Sequence, residues 1–166
     1  MFRFAFPLCL AMLACAARAE DLPAPEGEVL LAVRGAIART NAGDAALFDR
    51  AMLEALPAQT FATSTIWTEG VRDFTGVALA TLLDRVGAEG ATLRATALND
   101  YGVEIPVSDA VPGGPMVAYA MDGAPMSVRD KGPLWIVYPY DADAAYRTEV
   151  VYARSIWQLS EVEVLP

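Results

Sequence analysis

The segment from Arg129 to Pro133 is the densest group of polar residues in the sequence. It reads Arg-Asp-Lys-Gly-Pro, and Lys131 is the only lysine in the chain. An arginine guanidinium offers a planar fork that fits phosphate or carboxylate oxygens, whereas a lysine ammonium acts as a point charge. Arg129 and Lys131 are therefore candidate anion ligands. A solvated turn, in which Pro133 sets up the next strand, is the competing interpretation.

Arg154 and Tyr101 are further candidates. Arg154 is expected at the entry to the last strand and could face an anion, although an edge-strand arginine over an acidic surface is the simpler interpretation. Tyr101 follows a turn at Asn99-Asp100. On this pattern alone it could pack against a neighbouring strand. Trp157 is expected in the core or in a pocket wall.

Several kinds of catalytic site are excluded by composition. The sequence has no histidine, so the usual general base and commonest metal ligand are absent. Its two cysteines, Cys9 and Cys15, lie in an apolar N-terminal run. Removal of that run leaves no thiol, which excludes thiolate nucleophiles, disulfides and Cys/His zinc sites. The acidic residues Asp141, Asp143 and Glu149 lack the EF-hand pattern and indicate a solvated loop.

The N-terminal residues 1–19 have the pattern of a secretory signal. Arg3 supplies a positive charge, a short apolar run follows, and Ala17-Arg18-Ala19 fits a small-x-small cleavage site. We therefore expect a periplasmic or secreted mature protein that begins near Glu20. A lipid-anchored Cys15 is the alternative, which is less well supported because Met12 replaces the usual leucine.

The mature chain has the size of one domain and a strong negative charge. The full chain carries 12 Lys+Arg and 21 Asp+Glu, a net charge of −9. That balance disfavours nucleic acid and anionic membranes as partners. No apolar run after the signal is long enough to span a membrane.

Hydrophobic periodicity predicts several strands and two helices, an α+β domain on a mixed β-sheet. Predicted strands cover 29–33, 59–67, 92–98, 102–106, 116–121, 134–138 and 154–165. Predicted helices cover 44–56, capped by Asp44, and 77–86, ended by Gly87. Asp122-Gly123 predicts a hairpin turn.

Three segments in order carry a family resemblance. They read NDYGVEIPVSD, MVAYAMDGAPMSVRDKGPLWIVYP and SIWQLSEVEV, between Asn99 and Val164. This order resembles the catalytic domain of sulfite oxidase and related molybdopterin-binding oxidoreductases. The resemblance implies a short, single-domain version of that fold over residues 20–166. It also implies a cofactor-side role for Tyr101, Arg129, Lys131 and Arg154.

The resemblance also identifies a missing group. That family holds molybdenum through a cysteine thiolate, and Ser64 lies near the corresponding position, with Thr63 or Thr65 as alternatives if a gap is allowed. A serine alkoxide is a harder ligand than a thiolate, so we favour a strand hydroxyl bonded to a neighbour.

Three functions remain open at this point. The first is a degenerate module that binds a small anionic ligand without redox chemistry, with no cofactor expected. The second is a working molybdenum oxidoreductase with Ser64, or no protein group, on the metal. The third is a periplasmic docking or sensory-input protein that acts on another protein.

Overall fold

The computed structural model describes residues 22–166. The predicted signal, with Cys9 and Cys15, lies outside these residues. In chain order the described elements are β1 (Val29–Gly35), β2 (Ala46–Asp49), α1 (Arg50–Glu54), β3 (Ala58–Ser64), β4 (Val71–Ala78), α2 (Leu79–Val86), β5 (Thr92–Ala97), β6 (Gly102–Pro106), β7 (Met116–Met121), β8 (Ala124–Pro125), β9 (Trp135–Val137), α3 (Glu149–Arg154) and β10 (Leu159–Leu165). Short 3-10 turns lie at Val107–Asp109, Val128–Asp130 and Ala144–Tyr146.

The described strands form two sheets of five strands each. The first has the order β2-β1-β10-β5-β6 and is mixed, because β1 pairs with β10 in parallel while its other pairs are antiparallel. The second has the order β3-β4-β7-β8, and β9 pairs with residues Met116–Ala118 of β7, before the residues that pair with β8. Mixed sheets with few helices are thus the observed architecture.

One hydrophobic cluster joins the two sheets and α2. It contains Leu31 and Leu93 from the first sheet and Phe74 and Val117 from the second, all fully buried. Helix α2 buries the four positions that its periodicity predicts, Leu79, Leu82, Leu83 and Val86. Gly87 ends the helix in the left-handed region, with φ 63°. None of the described helices is long and apolar enough to cross a membrane.

The helix predicted from Asp44 to Leu56 is wrong. Its first half is strand β2, which pairs antiparallel with β1, and only Arg50–Glu54 is helical. The helix cap is Asp49 instead of Asp44, since the Asp49 carboxylate accepts a hydrogen bond from the Met52 amide at 2.9 Å. Pairing with a buried neighbouring strand outweighed the local helical periodicity.

Three other boundaries differ from the sequence prediction. The strand expected over 59–67 ends at Ser64, so Trp67 lies in the loop that follows it. Strand β4 was not predicted, and the helix expected from Val77 begins at Leu79 because Val77 and Ala78 pair with β7. The last strand was expected from Arg154 but begins at Leu159. Arg154 instead ends helix α3, which Thr148 caps by accepting a hydrogen bond from the Val151 amide.

Candidate functional site

A cavity of about 390 Å³ lies between the loop after β3, the β5–β6 hairpin and the segment that joins α3 to β10. Four of its nine lining residues are aromatic. The lining residues are Trp67, Ala97, Asn99, Tyr101, Tyr152, Ala153, Ser155, Ile156 and Trp157. A concave, mostly apolar cavity of this size falls in the usual range for small-molecule sites, about 300–1,000 Å³.

Trp67 is the centre of the aromatic wall. Its ring centroid lies 5.5 Å from that of Trp157 and 5.8 Å from that of Tyr152, at interplanar angles of 67° and 88°. Behind it, Trp135 and Tyr140 make further edge-on contacts at 5.9 and 6.3 Å. The rings therefore meet edge to face, the geometry that aromatic quadrupoles favour, and they form adjoining walls instead of a stack.

The backbone holds both cavity tryptophans in place. The Trp67 amide donates to the Thr65 hydroxyl at 3.1 Å, and that hydroxyl also bonds Thr68 Oγ1 at 2.8 Å, so a short side-chain turn fixes the loop after β3. Trp157 forms an isolated antiparallel bridge with Trp135. The cavity wall is thus tied to β9 of the second sheet.

Tyr101 lies at the mouth of the cavity. Asp100 occupies the left-handed region of the hairpin, with φ 65°, and the Asn99 side chain accepts a hydrogen bond from the Tyr101 amide at 3.2 Å. The tyrosine side chain is 59% exposed, which leaves its ring free to contact a ligand.

Lys131 is not a lining residue of the cavity, but its side chain packs against the lining residue Trp157. Its Nζ lies 5.6 Å from the ring centroid of Trp157 and 6.0 Å from that of Trp135, within cation–π range. The turn is held beside Trp157 because the Gln158 amide donates to the Lys131 carbonyl at 3.1 Å. Arg129, in the preceding 3-10 turn, is exposed.

Arg154 has a different environment from Lys131. Its guanidinium donates to both carboxylate oxygens of Asp109, at 3.2 and 2.8 Å, and the Tyr138 hydroxyl donates to the same carboxylate at 2.8 Å. Arg154 is not among the residues that line the cavity. Of the predicted site residues, Tyr101 lines the cavity. Lys131 does not line it but contacts the ring of the lining residue Trp157, and Arg154 is bound to Asp109.

Two buried tyrosines, Tyr138 and Tyr140, lie between this ion pair and Ser155, which lines the cavity. Burial raises the pKa of Tyr138 well above its usual value, and burial raises the pKa of Tyr140 to about 12. The Ser155 hydroxyl donates to the Val151 carbonyl, so the Tyr140 hydroxyl is left as the donor in its short contact with Ser155. Helix α3 and the residues that follow it are therefore fixed by polar contacts at both ends.

Ser64, at the end of β3, is bonded by a carboxylate. Its amide donates to Asp141 Oδ2 at 2.6 Å and its hydroxyl donates to Asp141 Oδ1 at 2.8 Å. The Asp141 amide in turn donates to the hydroxyl of buried Thr63 at 3.1 Å. Hydrogen bonds from the Ser64 amide and hydroxyl lower the pKa of Asp141, so this carboxylate is ionised at neutral pH.

The side-chain oxygens of Ser64, Asp141 and Thr63, which could otherwise bind a metal ion, therefore already have hydrogen-bond partners. Residues 22–166 contain no group of three or more His, Cys, Asp or Glu side chains placed to hold a metal ion. The part of the chain that the structure describes also contains no cysteine.

The sequence did not identify three residues of this region as site residues. Trp67 was expected only as the end of the strand over 59–67, Tyr152 belongs to no motif, and Asp141 was interpreted as part of a solvated loop. A carboxylate 77 positions from Ser64 becomes its partner only through the tertiary fold. The aromatic residues of the last third of the chain were the one signal that could have indicated the cavity.

Comparison with known proteins gives one family. The model described as "Oxidoreductase molybdopterin binding domain" matches residues 51–145, more than half of the 166-residue chain. A search of curated proteins found no match. The matched range contains Ser64, Trp67, Tyr101, Lys131 and Asp141.

Proposed function

The chain belongs to the oxidoreductase molybdopterin-binding domain family, and from this premise we propose that it is an exported ligand-binding member without molybdenum redox chemistry. The observation that carries the proposal is the contact between Ser64 and Asp141. By the family resemblance, Ser64 stands near the position of the metal-binding thiolate, with Thr63 or Thr65 as the alternatives if a gap is allowed.

The residues present do not fit the family's metal. Ligation by Ser64 requires loss of the hydroxyl hydrogen, which is donated to Asp141. The resulting alkoxide would lie 2.8 Å from an ionised carboxylate, and two like charges at that distance disfavour ionisation strongly. A thiolate, the soft ligand that suits this metal, is absent from residues 22–166. We therefore derive no reaction step through a molybdenum cofactor.

The proposal includes the extent and location of the domain. Residues 20–166 form a short α+β version of the sulfite oxidase catalytic fold, exported to the periplasm or beyond by residues 1–19. The pattern of Arg3 and Ala17-Arg18-Ala19 supports export. The mixed and antiparallel sheets with few helices support the fold. Tyr101 and Lys131 serve the ligand site, and Ser64, Arg129 and Arg154 are retained as candidate contacts.

Metal analysis of matched variants tests the proposal. The full chain is produced in a bacterium that makes molybdenum cofactor, and molybdenum is measured per chain for the wild type, Ser64→Ala and Thr60→Ala. Thr60 is the control because its hydroxyl bonds Thr75 on the same pair of strands. We expect the same low molybdenum content in all three. One molybdenum per chain, lost in Ser64→Ala and kept in Thr60→Ala, would establish the oxidoreductase instead.

Exposed apolar side chains favour docking to another exported protein as the second candidate. Ile66 and Leu98 are 63% and 54% exposed and adjoin the lining residues Trp67 and Ala97 in sequence. Exposed apolar surface of this kind marks many interaction sites. Docking is the better supported function if the cavity binds no small molecule while Ile66→Ser weakens the binding of the protein to another exported protein.

A further inference from the structure

The aromatic rings that line the cavity meet at steep angles. Trp67 and Tyr152 meet at 88°, and Trp67 and Trp157 at 67°. A flat ligand can stack on one wall while its edge meets the next, and both arrangements are favourable for aromatic rings. Tyr101, at the mouth and 59% exposed, can cover the remaining face.

The charge around this wall is the second observation. The ammonium of Lys131 contacts Trp157 and Trp135, and it makes no salt bridge within residues 22–166. Several cations of the same protein do have carboxylate partners: Arg34, Arg50, Arg72, Arg94 and Arg154. The chain has a net charge of −9, and the half-buried Lys131 ammonium is not paired with a carboxylate of the described residues. It can therefore attract an anionic group of a ligand.

A buried donor beside the same wall is the third observation. The indole Nε1 of Trp135 is buried and has no hydrogen-bond partner within the described residues. Its ring is 6.3 Å from that of Trp157 and 5.9 Å from that of Trp67. Buried donors are normally satisfied, so this unpaired group beside the lining rings is a cost that the protein alone carries. Trp135 itself is fully buried and does not line the cavity.

The lining disfavours a cationic ligand, the other common occupant of a cavity with aromatic walls. Such boxes also bind quaternary ammonium groups, because ring faces attract cations. None of the lining residues is an aspartate or glutamate, so no carboxylate in the described cavity wall adds to that attraction. Lys131 on Trp157 opposes a second cation there.

From these three observations we propose that the cavity binds a planar aromatic molecule with an anionic substituent, its ring between Trp67, Tyr101 and Trp157 and its charge directed to Lys131. The inference rests on the proposed function, since it names the ligand class of a member that binds without redox chemistry.

Calorimetric titration of the full mature protein with three probes of similar size tests the inference. The probes are 2-naphthoate, its neutral analogue 2-naphthalenemethanol, and the cation phenyltrimethylammonium. We expect 2-naphthoate to bind at one site per chain, more tightly than the alcohol, with an affinity that falls as salt is added. Tighter binding of the cation or the alcohol, or no binding of any probe, would overturn the inference.

Variants then locate the bound probe. Lys131→Gln should weaken 2-naphthoate about 3- to 10-fold and leave the alcohol unchanged, because only the charged contact is lost. Arg94→Gln removes the same charge at an exposed pair with Glu163 and should leave both unchanged. Tyr101→Ala should weaken the binding of both probes about 3- to 10-fold. Because the Tyr101 side chain is 59% exposed, its removal should not unfold the protein. Equal effects of the Lys131 and Arg94 substitutions would overturn the assignment to Lys131.

Molybdenum measured on the same samples separates the two proposals. Low molybdenum without binding of 2-naphthoate contradicts only the ligand class. Stoichiometric molybdenum that depends on Ser64 contradicts the proposed function, whatever the probes do.

Discussion

Ser64 and Asp141 form a two-point contact, in which the serine amide and hydroxyl donate to separate oxygens of one carboxylate, at 2.6 and 2.8 Å. The contact ties the end of β3 to the loop after β9. Under the proposal that Ser64 stands near the position of the family's metal-binding thiolate, it also places a negative charge beside that position. The account of function depends on this pair.

The pH dependence of stability is the first test of the pair. Because hydrogen bonds from Ser64 lower the pKa of Asp141 from 3.8, the contact stabilises the fold above that pH and loses this contribution as pH falls through the folded-state pKa. Asp141→Asn should therefore reduce the acid sensitivity of the free energy of unfolding.

Urea denaturation at neutral and acidic pH measures this effect. The carboxylate is exposed, so we expect a difference below about 1 kcal/mol. Asp100→Asn, in the exposed β5–β6 turn, is the control for loss of one negative charge. An Asp141→Asn protein with the full acid sensitivity of the wild type would contradict the contact.

The ion pair between Arg154 and Asp109 should matter more to stability. The two side chains are only 25% and 17% exposed, and Asp109 also accepts the hydrogen of buried Tyr138. Asp109→Ala leaves a guanidinium and a hydroxyl without their acceptor, so the free energy of unfolding should fall by about 2–4 kcal/mol. Arg154→Gln should cost less, since Tyr138 keeps its partner.

Denaturant titration of both variants, with Glu104→Ala as control, checks this order. Glu104 lies 3.8 Å from Arg94 with both side chains mostly exposed, and its loss should cost less than about 1 kcal/mol. If Arg154→Gln proved the more destabilising change, Asp109 would not be the centre of the network.

Alkaline titration tests the buried tyrosine beside the cavity. Burial raises the pKa of Tyr140 from 10.0 to about 12, so its contribution to stability is fully present below pH 10 and is lost as pH rises through 12. Tyr140→Phe should make the free energy of unfolding less dependent on pH in that window. Absorbance at the tyrosinate band should show one fewer late-titrating group in Tyr140→Phe; a variant with an unchanged titration curve would show that Tyr140 ionises normally.

Export makes a prediction about the mature N-terminus. Cleavage after Ala19 should give a protein that begins at Glu20 and has no thiol. Intact-mass measurement of the exported protein decides between this product and one that begins at a lipid-modified Cys15. The second mass would show that the protein is anchored.

The sequence predicted much of the fold because most strands are marked locally. Turn residues bound β6 and β7, and the apolar spacing of Leu79, Leu82 and Val86 identifies α2 without further context. The family resemblance, based on residues 99–164, is confirmed by the match to residues 51–145. The prediction was wrong at β2, because pairing with β1 makes these residues a strand, and no local sequence pattern indicates that pairing.

The site was less predictable for the same physical reason. Tyr101 follows a turn signal and lies at the cavity mouth. The partners of Ser64 and Arg154 lie 77 and 45 positions away, so their contacts exist only in the folded chain. Trp67 forms the cavity wall through contacts with residues of β9 and α3. Such long-range packing leaves no periodic trace in the sequence.

The most direct measurement of the central claim is the molybdenum and pterin content of the mature protein isolated from its native compartment. Elemental analysis gives metal per chain, and fluorescence after oxidative release gives pterin per chain. The Ser64–Asp141 contact predicts that both lie far below one per chain. One molybdenum and one pterin per chain would contradict the account and establish a working oxidoreductase.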